Sequence, residues 1–131
     1  MKIAVMGAGA WGTAVSISLA ARHDVTLWMR DPVLCAEIRA ARINVRYLPG
    51  FRLPETVSAE DDISAAVSGA RLVLAAVTTA GLRETLARLK SARCAAPIVW
   101  LCKGFEAEHA KLPHQVYAEV LGSDAPHGVL S

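Results

Sequence analysis

Gly7, Gly9 and Gly12 stand in the spacing GxGxxG inside "KIAVMGAGAWGTAVSISLA", between an apolar run and a segment of small residues. Side-chain-free positions at that spacing can make a tight turn between two elements, or let the backbone come close to an anion. The motif alone is weak, and its context decides its value. Lys2 to Met6 reads as a strand buried on both faces, and Thr13 to Arg22 as an alanine-rich helix. The unit closes within about thirty residues at a second strand, Asp24 to Met29, "DVTLWM", which is the setting the motif requires. There Gly7 permits the turn out of the strand, Gly9 leaves room for a pyrophosphate, and Gly12 lets the helix pack closely on the sheet. The N–H groups of Ala10 and Trp11, at the start of that helix, would meet the anion.

The end of the second strand bears on which dinucleotide. An acidic residue there takes the ribose hydroxyls of the adenosine half and favours NAD. Met29 stands in that place, followed by Arg30 and Asp31. A guanidinium suits a 2′-phosphate, which it can grip with paired, charge-assisted hydrogen bonds. NADP is therefore the favoured cofactor, with NAD retained as the second. Arg30 also has a plainer reading as a solvated surface charge, and Asp31, directly before Pro32, fits the cap of the next helix.

The elements that must hold these residues alternate along the chain. "PVLCAEIRAAR" continues at helical period, and "INVRYLPGFRLP" breaks into a loop with at most a short extended piece. "AEDDISAAVSGA" resembles a short helix capped from about Ser58 and ended near Gly69. "RLVLAAV" is a buried strand, Thr78 or Thr79 caps the helix "AGLRETLARLKSA", and "PIVWLC" is a further interior strand. "KGFEAEHAK" follows as a loop, "LPHQVYAEVLG" as a helix, and "GVLS" as one more strand. Solid apolar strands alternating with helices predict an α/β fold: a doubly wound, mostly parallel sheet of the Rossmann type, in a single domain over residues 1–131.

Composition excludes several function classes. The chain has 131 residues, 53% of them hydrophobic and 20% charged, a globular balance. A net charge of +2, with arginines scattered rather than clustered, argues against a nucleic-acid partner. The apolar runs are too short to insert in a membrane, and no leader precedes the first strand. Three cysteines with no CxxC pair point to reduced thiols in the cytoplasm. Four dispersed histidines make no metal set, and Cys102 lacks a general base, so it reads as a buried, inert thiol.

"GAGAWGTA", "LWMRD", "NVRYLPG" and "WLCKGFE", in this order and at these spacings, resemble bacterial NAD(P)-dependent glycerol-3-phosphate dehydrogenase along nearly all of the chain. The resemblance implies an N-terminal dinucleotide domain of an enzyme that interconverts dihydroxyacetone phosphate and sn-glycerol 3-phosphate for phospholipid synthesis. It implies that Ala10 and Trp11 lie at the pyrophosphate, Arg30 at the adenosine ribose or its phosphate, and Tyr47 against the cofactor. Lys103 would stand where nicotinamide and phosphorylated substrate meet. Trp11 as helix-start packing, Tyr47 as a core aromatic and Lys103 as a solvated loop lysine are the plainer readings of the same residues.

Three departures from the family's pattern matter. Ala10 replaces a usual serine or asparagine, and Thr78 a usual proline. The chain ends at "HGVLS", where the family continues towards a helical domain carrying its catalytic lysine. The expectation is therefore a cofactor domain with no catalytic residue of its own, inactive alone, within a full-length homodimer. The alternatives are the cofactor domain of a 6-phosphogluconate or hydroxyacid dehydrogenase, and a non-catalytic dinucleotide sensor.

Overall fold

The apolar block at the start forms strand β1 (Lys2–Met6) and is solid because the sheet is covered on both sides. Ile3 and Val5 enter one core, while Ala4 and Met6 enter the other. The computed structural model describes residues 1–101, 111–122 and 127–129. After β1 come α1 (Ala10–Leu19), β2 (Asp24–Trp28), α2 (Pro32–Ala41), β3 (Ile43–Asn44), β4 (Leu48–Arg52), β5 (Val57–Glu60) and α3 (Ile63–Val67). Then follow β6 (Leu72–Ala75), α4 (Thr79–Ser91), β7 (Ile98–Trp100), α5 (Pro113–Leu121) and β8 (His127–Val129).

Six strands make one parallel sheet in the order β5-β2-β1-β6-β7-β8. The chain winds outward from β1 through β2 to β5, then returns to lay β6 on the other side of β1. In register, Ile3 pairs with Val25 on one side and with Leu72 on the other. Elements on the two sides of β1 therefore diverge at its carboxyl end, which is where open α/β sheets form a crevice. One face is closed by Ala66 and Val67 of α3, Leu82, Leu86 and Leu89 of α4, and Val116 and Tyr117 of α5. The other is closed by α2 through Leu34, Cys35 and Ile38, with Val15, Ile17 and Leu19 of α1 packed against the same core. Each of the fully buried leucines contributes about 2 kcal/mol by leaving water. No helix among the described residues is long and apolar enough to cross a membrane.

The structure departs from the sequence-based expectations in three places. Helix α1 starts at Ala10, earlier than Thr13, so that Gly12 lies inside the helix, where its missing side chain gives the close packing expected of it. "INVRYLPGFRLP" holds the antiparallel hairpin β3–β4, its register shifting between Ile43 and Asn44. The helix expected from Ser58 is instead an edge strand, β5, followed by a shorter helix capped by Asp62, whose carboxylate accepts from the Ser64 amide at 3.0 Å. Val57 and Ala59 alternate into the core with Ser58 facing out; four residues of mixed size leave too little pattern for that period to show. Thr78, not Thr79, caps α4, its hydroxyl accepting from the Gly81 amide.

Candidate functional site

Each glycine of the first turn is required for a different reason. Gly7 has φ +109°, and a Cβ there would lie 2.5 Å from the Ala76 carbonyl oxygen. Its amide is tied to the Trp28 carbonyl at 2.9 Å, so the turn is anchored to β2. At Gly12 a Cβ would fall 2.0 Å from the Gly7 carbonyl oxygen. Gly9 is the opposite case: a Cβ there would meet nothing within 4 Å. Gly9 is also the N-cap of α1, where no side chain makes a capping hydrogen bond and the first turn carries no acid. The result is a helix start with its amides and positive dipole end uncompensated, opening on free space.

That space is a groove of about 460 Å³ at the carboxyl ends of β1, β2 and β6. Gly7, Gly9, Arg30, Asp31 and Tyr47 line it together; Ala10, Trp11 and Gly12 stand beside it without lining it. Trp11 is 60% exposed and Tyr47 52%, so neither is a core aromatic. Lys103, Cys102 and His109 lie outside the described residues. Among the described residues no group of side chains could hold a metal ion.

Asn44 opens the "NVRYLPG" motif, but the sequence assigns it no role, because the partners of its side chain lie more than 30 residues away. In the fold it is fully buried, and its amide donates to the Ala8 carbonyl at 2.8 Å and the Thr13 hydroxyl at 2.9 Å. Its own carbonyl oxygen accepts from the Tyr47 amide at 3.3 Å. One side chain thus latches the β3–β4 hairpin to the glycine turn and sets Tyr47 at the groove. Asn44→Ala is expected to cost about 2–3 kcal/mol by leaving buried polar groups unpaired, and to make the hairpin the first site of proteolysis. Unchanged thermal unfolding and an intact hairpin would remove the latch.

At the far end of the groove Met29 is buried and Arg30 turns outward. Asp31 accepts from the Val33 amide at 2.9 Å, the cap expected of it, and its second oxygen takes Arg46 Nη1 at 3.2 Å. The Val33 amide first, aided by Arg46, holds the Asp31 carboxyl below its usual range. Arg46 also reaches Glu37 at 3.0 Å, tying hairpin to α2. Arg30 is not free: its Nη1 donates to both oxygens of Glu84, at 3.1 and 3.0 Å. Arg88 donates to the same carboxylate at 3.0 Å and lies 6.0 Å over the Trp28 ring. Glu84 and Arg88, facing the groove from α4, escape sequence reasoning because only the sheet order brings α4 to the end of β2.

Residues 2–131 match the sequence profile of the NAD-dependent glycerol-3-phosphate dehydrogenase N-terminus. The chain belongs to this family. Relatives named glycerol-3-phosphate dehydrogenase [NAD(P)+] include that of Dechloromonas aromatica, 51% identical over 131 residues, and that of Nitrosomonas eutropha, 50% identical over 131 residues. Each alignment covers 100% of this chain and 40% of the relative, so the chain spans two fifths of the length of these proteins. The crystal structure of glycerol-3-phosphate dehydrogenase from Coxiella burnetii superposes with a TM-score of 0.86 at 35% identity, covering 93% of this chain and 38% of that one. Within the glycerol-3-phosphate dehydrogenase family this chain is the N-terminal Rossmann domain. Its groove has the features a dinucleotide diphosphate needs: an uncapped helix start, a glycine whose missing Cβ leaves the approach open, and a cation at the end of β2.

Proposed function

We propose that this chain is the cofactor-binding part, residues 1–131, of an enzyme that interconverts dihydroxyacetone phosphate and sn-glycerol 3-phosphate, taking NADP or NAD. The observation that carries the reading is the uncapped start of α1 beside the groove, which its N-cap Gly9 lines without a side chain, at the point where the sheet reverses its winding. When bound, the nicotinamide cofactor supplies or accepts the hydride. The residues of this chain bind and orient: the amides of Ala10 and Trp11 receive the diphosphate, Arg30 faces the 2′ position of the adenosine ribose, and Tyr47 covers the cofactor. Lys103, three positions beyond the last residue of β7 in the sequence and outside the described residues, is assigned to the phosphorylated substrate, a task that a compact cation suits. The proton-donating lysine is assigned to a helical domain beyond residue 131, and the whole enzyme to a homodimer in the cytoplasm. Free Cys35 and Cys94 are in keeping with a reducing compartment.

Calorimetric titration with NADPH and with NADH tests the reading. Both nucleotides are expected to bind, and Arg30→Ala is expected to weaken NADPH about tenfold, the loss of a charge-assisted pair, while NADH changes little. Equal affinity for the two, unmoved by the substitution, would take Arg30 out of the site.

A further inference from the structure

Arg30 and Glu84 come from opposite rims of the groove, one at the end of β2 and the other on α4. A single Arg30 nitrogen, Nη1, contacts both Glu84 oxygens, and Arg88 draws on one of those oxygens as well. Two guanidinium groups therefore share one carboxylate at the mouth of the groove. The Arg30 and Glu84 side chains are 67% and 52% exposed, so the pair is held weakly and an anion of higher charge can displace it. Displacement does not remove Glu84, whose helix is fixed by the buried Leu82 and Leu86 on either side of it in sequence. Whatever binds Arg30 must then sit beside a carboxylate, which its two arginines hold ionised, Arg88 first and Arg30 second.

We propose that Glu84 determines nucleotide specificity: its carboxylate occupies on Arg30 the place a 2′-phosphate would take, and so lowers the preference for NADP over NAD. The proposal rests on the reading that the groove binds a dinucleotide. A 2′-hydroxyl carries no charge and loses nothing beside Glu84, whereas a 2′-phosphate must both break the ion pair and tolerate a like charge. The carboxylate is thus a selective cost on the phosphorylated cofactor. It acts through Arg30 rather than on the reacting atoms, which makes Glu84 a positioning residue and not a catalytic one.

The test compares Kd for NADPH and NADH in the unaltered chain, in Glu84→Gln, in Arg30→Ala and in the double variant. Glutamine keeps the size and the hydrogen-bonding oxygen and removes only the charge. Glu84→Gln is expected to shift the NADPH:NADH affinity ratio about fivefold towards NADPH, the size of one screened charge interaction at an exposed site. In the Arg30→Ala background the same change should shift the ratio less than half as far. Glu55→Gln, at an exposed position outside the groove lining, makes the same change in net charge and should leave the ratio where it was. A ratio unmoved by Glu84→Gln, both nucleotides weakened alike, a shift towards NADH, or an equal shift in Glu55→Gln would each overturn the assignment of Glu84. Failure of the unaltered chain to bind either nucleotide would instead overturn the reading of the groove, and this proposal with it.

Discussion

Gly12→Ala is expected to destabilise the chain by about 3 kcal/mol, the range of a forced overpacking, and to lower the unfolding midpoint by roughly 10 °C for a domain of this size. The added Cβ would sit 2.0 Å from the Gly7 carbonyl oxygen, far inside contact distance. The obstacle is backbone, so no side-chain rotation relieves it. The backbone is also pinned: the Gly7 amide is held by Trp28 and the Ala8 carbonyl by Asn44. Helix α1 must shift off the sheet, and the hydrogen bond from the Ser16 hydroxyl to the Gly12 carbonyl shifts with it. Thermal unfolding followed by circular dichroism reads the effect. A midpoint within a degree or two of the original would mean that the turn yields and that close packing of α1 is not what Gly12 provides.

Gly9→Ala is expected to do the reverse, leaving the fold nearly intact while weakening dinucleotide binding at least tenfold, about 1.4 kcal/mol or more. Gly9 has φ −75° and ψ −174°, a conformation open to alanine, and its Cβ would meet nothing within 4 Å. The stability cost is the small one of a poorer N-cap, below about 1 kcal/mol. The added methyl would occupy the path by which a diphosphate reaches the first amides of α1. Paired melting and titration of the two variants separate packing from binding. Undiminished affinity in Gly9→Ala would show that the diphosphate does not approach there, and the functional reading would lose its main support.

Much of the fold is legible in the residues. β1, β6 and β7 are short, almost wholly apolar runs that read as strands covered on both sides, β2 buries Val25, Leu27 and Trp28, and Asp31 and Thr78 announce their helices through side chains that cap. β5 is not legible, because four residues at a sheet edge bury only Val57 and Ala59. The hairpin β3–β4 is hidden by Pro49 and Gly50, which mark a loop in most settings and here lie within a strand. Of the candidate site, the glycine turn, Arg30 and Asp31 are marked by type and spacing and Tyr47 by the family resemblance, and the fold gathers Gly7, Gly9, Arg30, Asp31 and Tyr47 around one groove. Glu84 and Arg88 are not marked, and Asn44 is marked as part of a motif but not by role, since each matters for what it touches across the fold.

The amino-acid order by itself determined the alternation of strand and helix, the turn without side chains and the cation after β2, because these are local consequences of burial, capping and backbone freedom. Only the tertiary structure decided that β6 returns to the side of β1 opposite β2, which brings α4 over the groove and places Glu84 against Arg30, 54 residues away. Ion pairs and latches of that range depend on which strands are neighbours, and sheet order is set by the packing of the whole core rather than by any one segment.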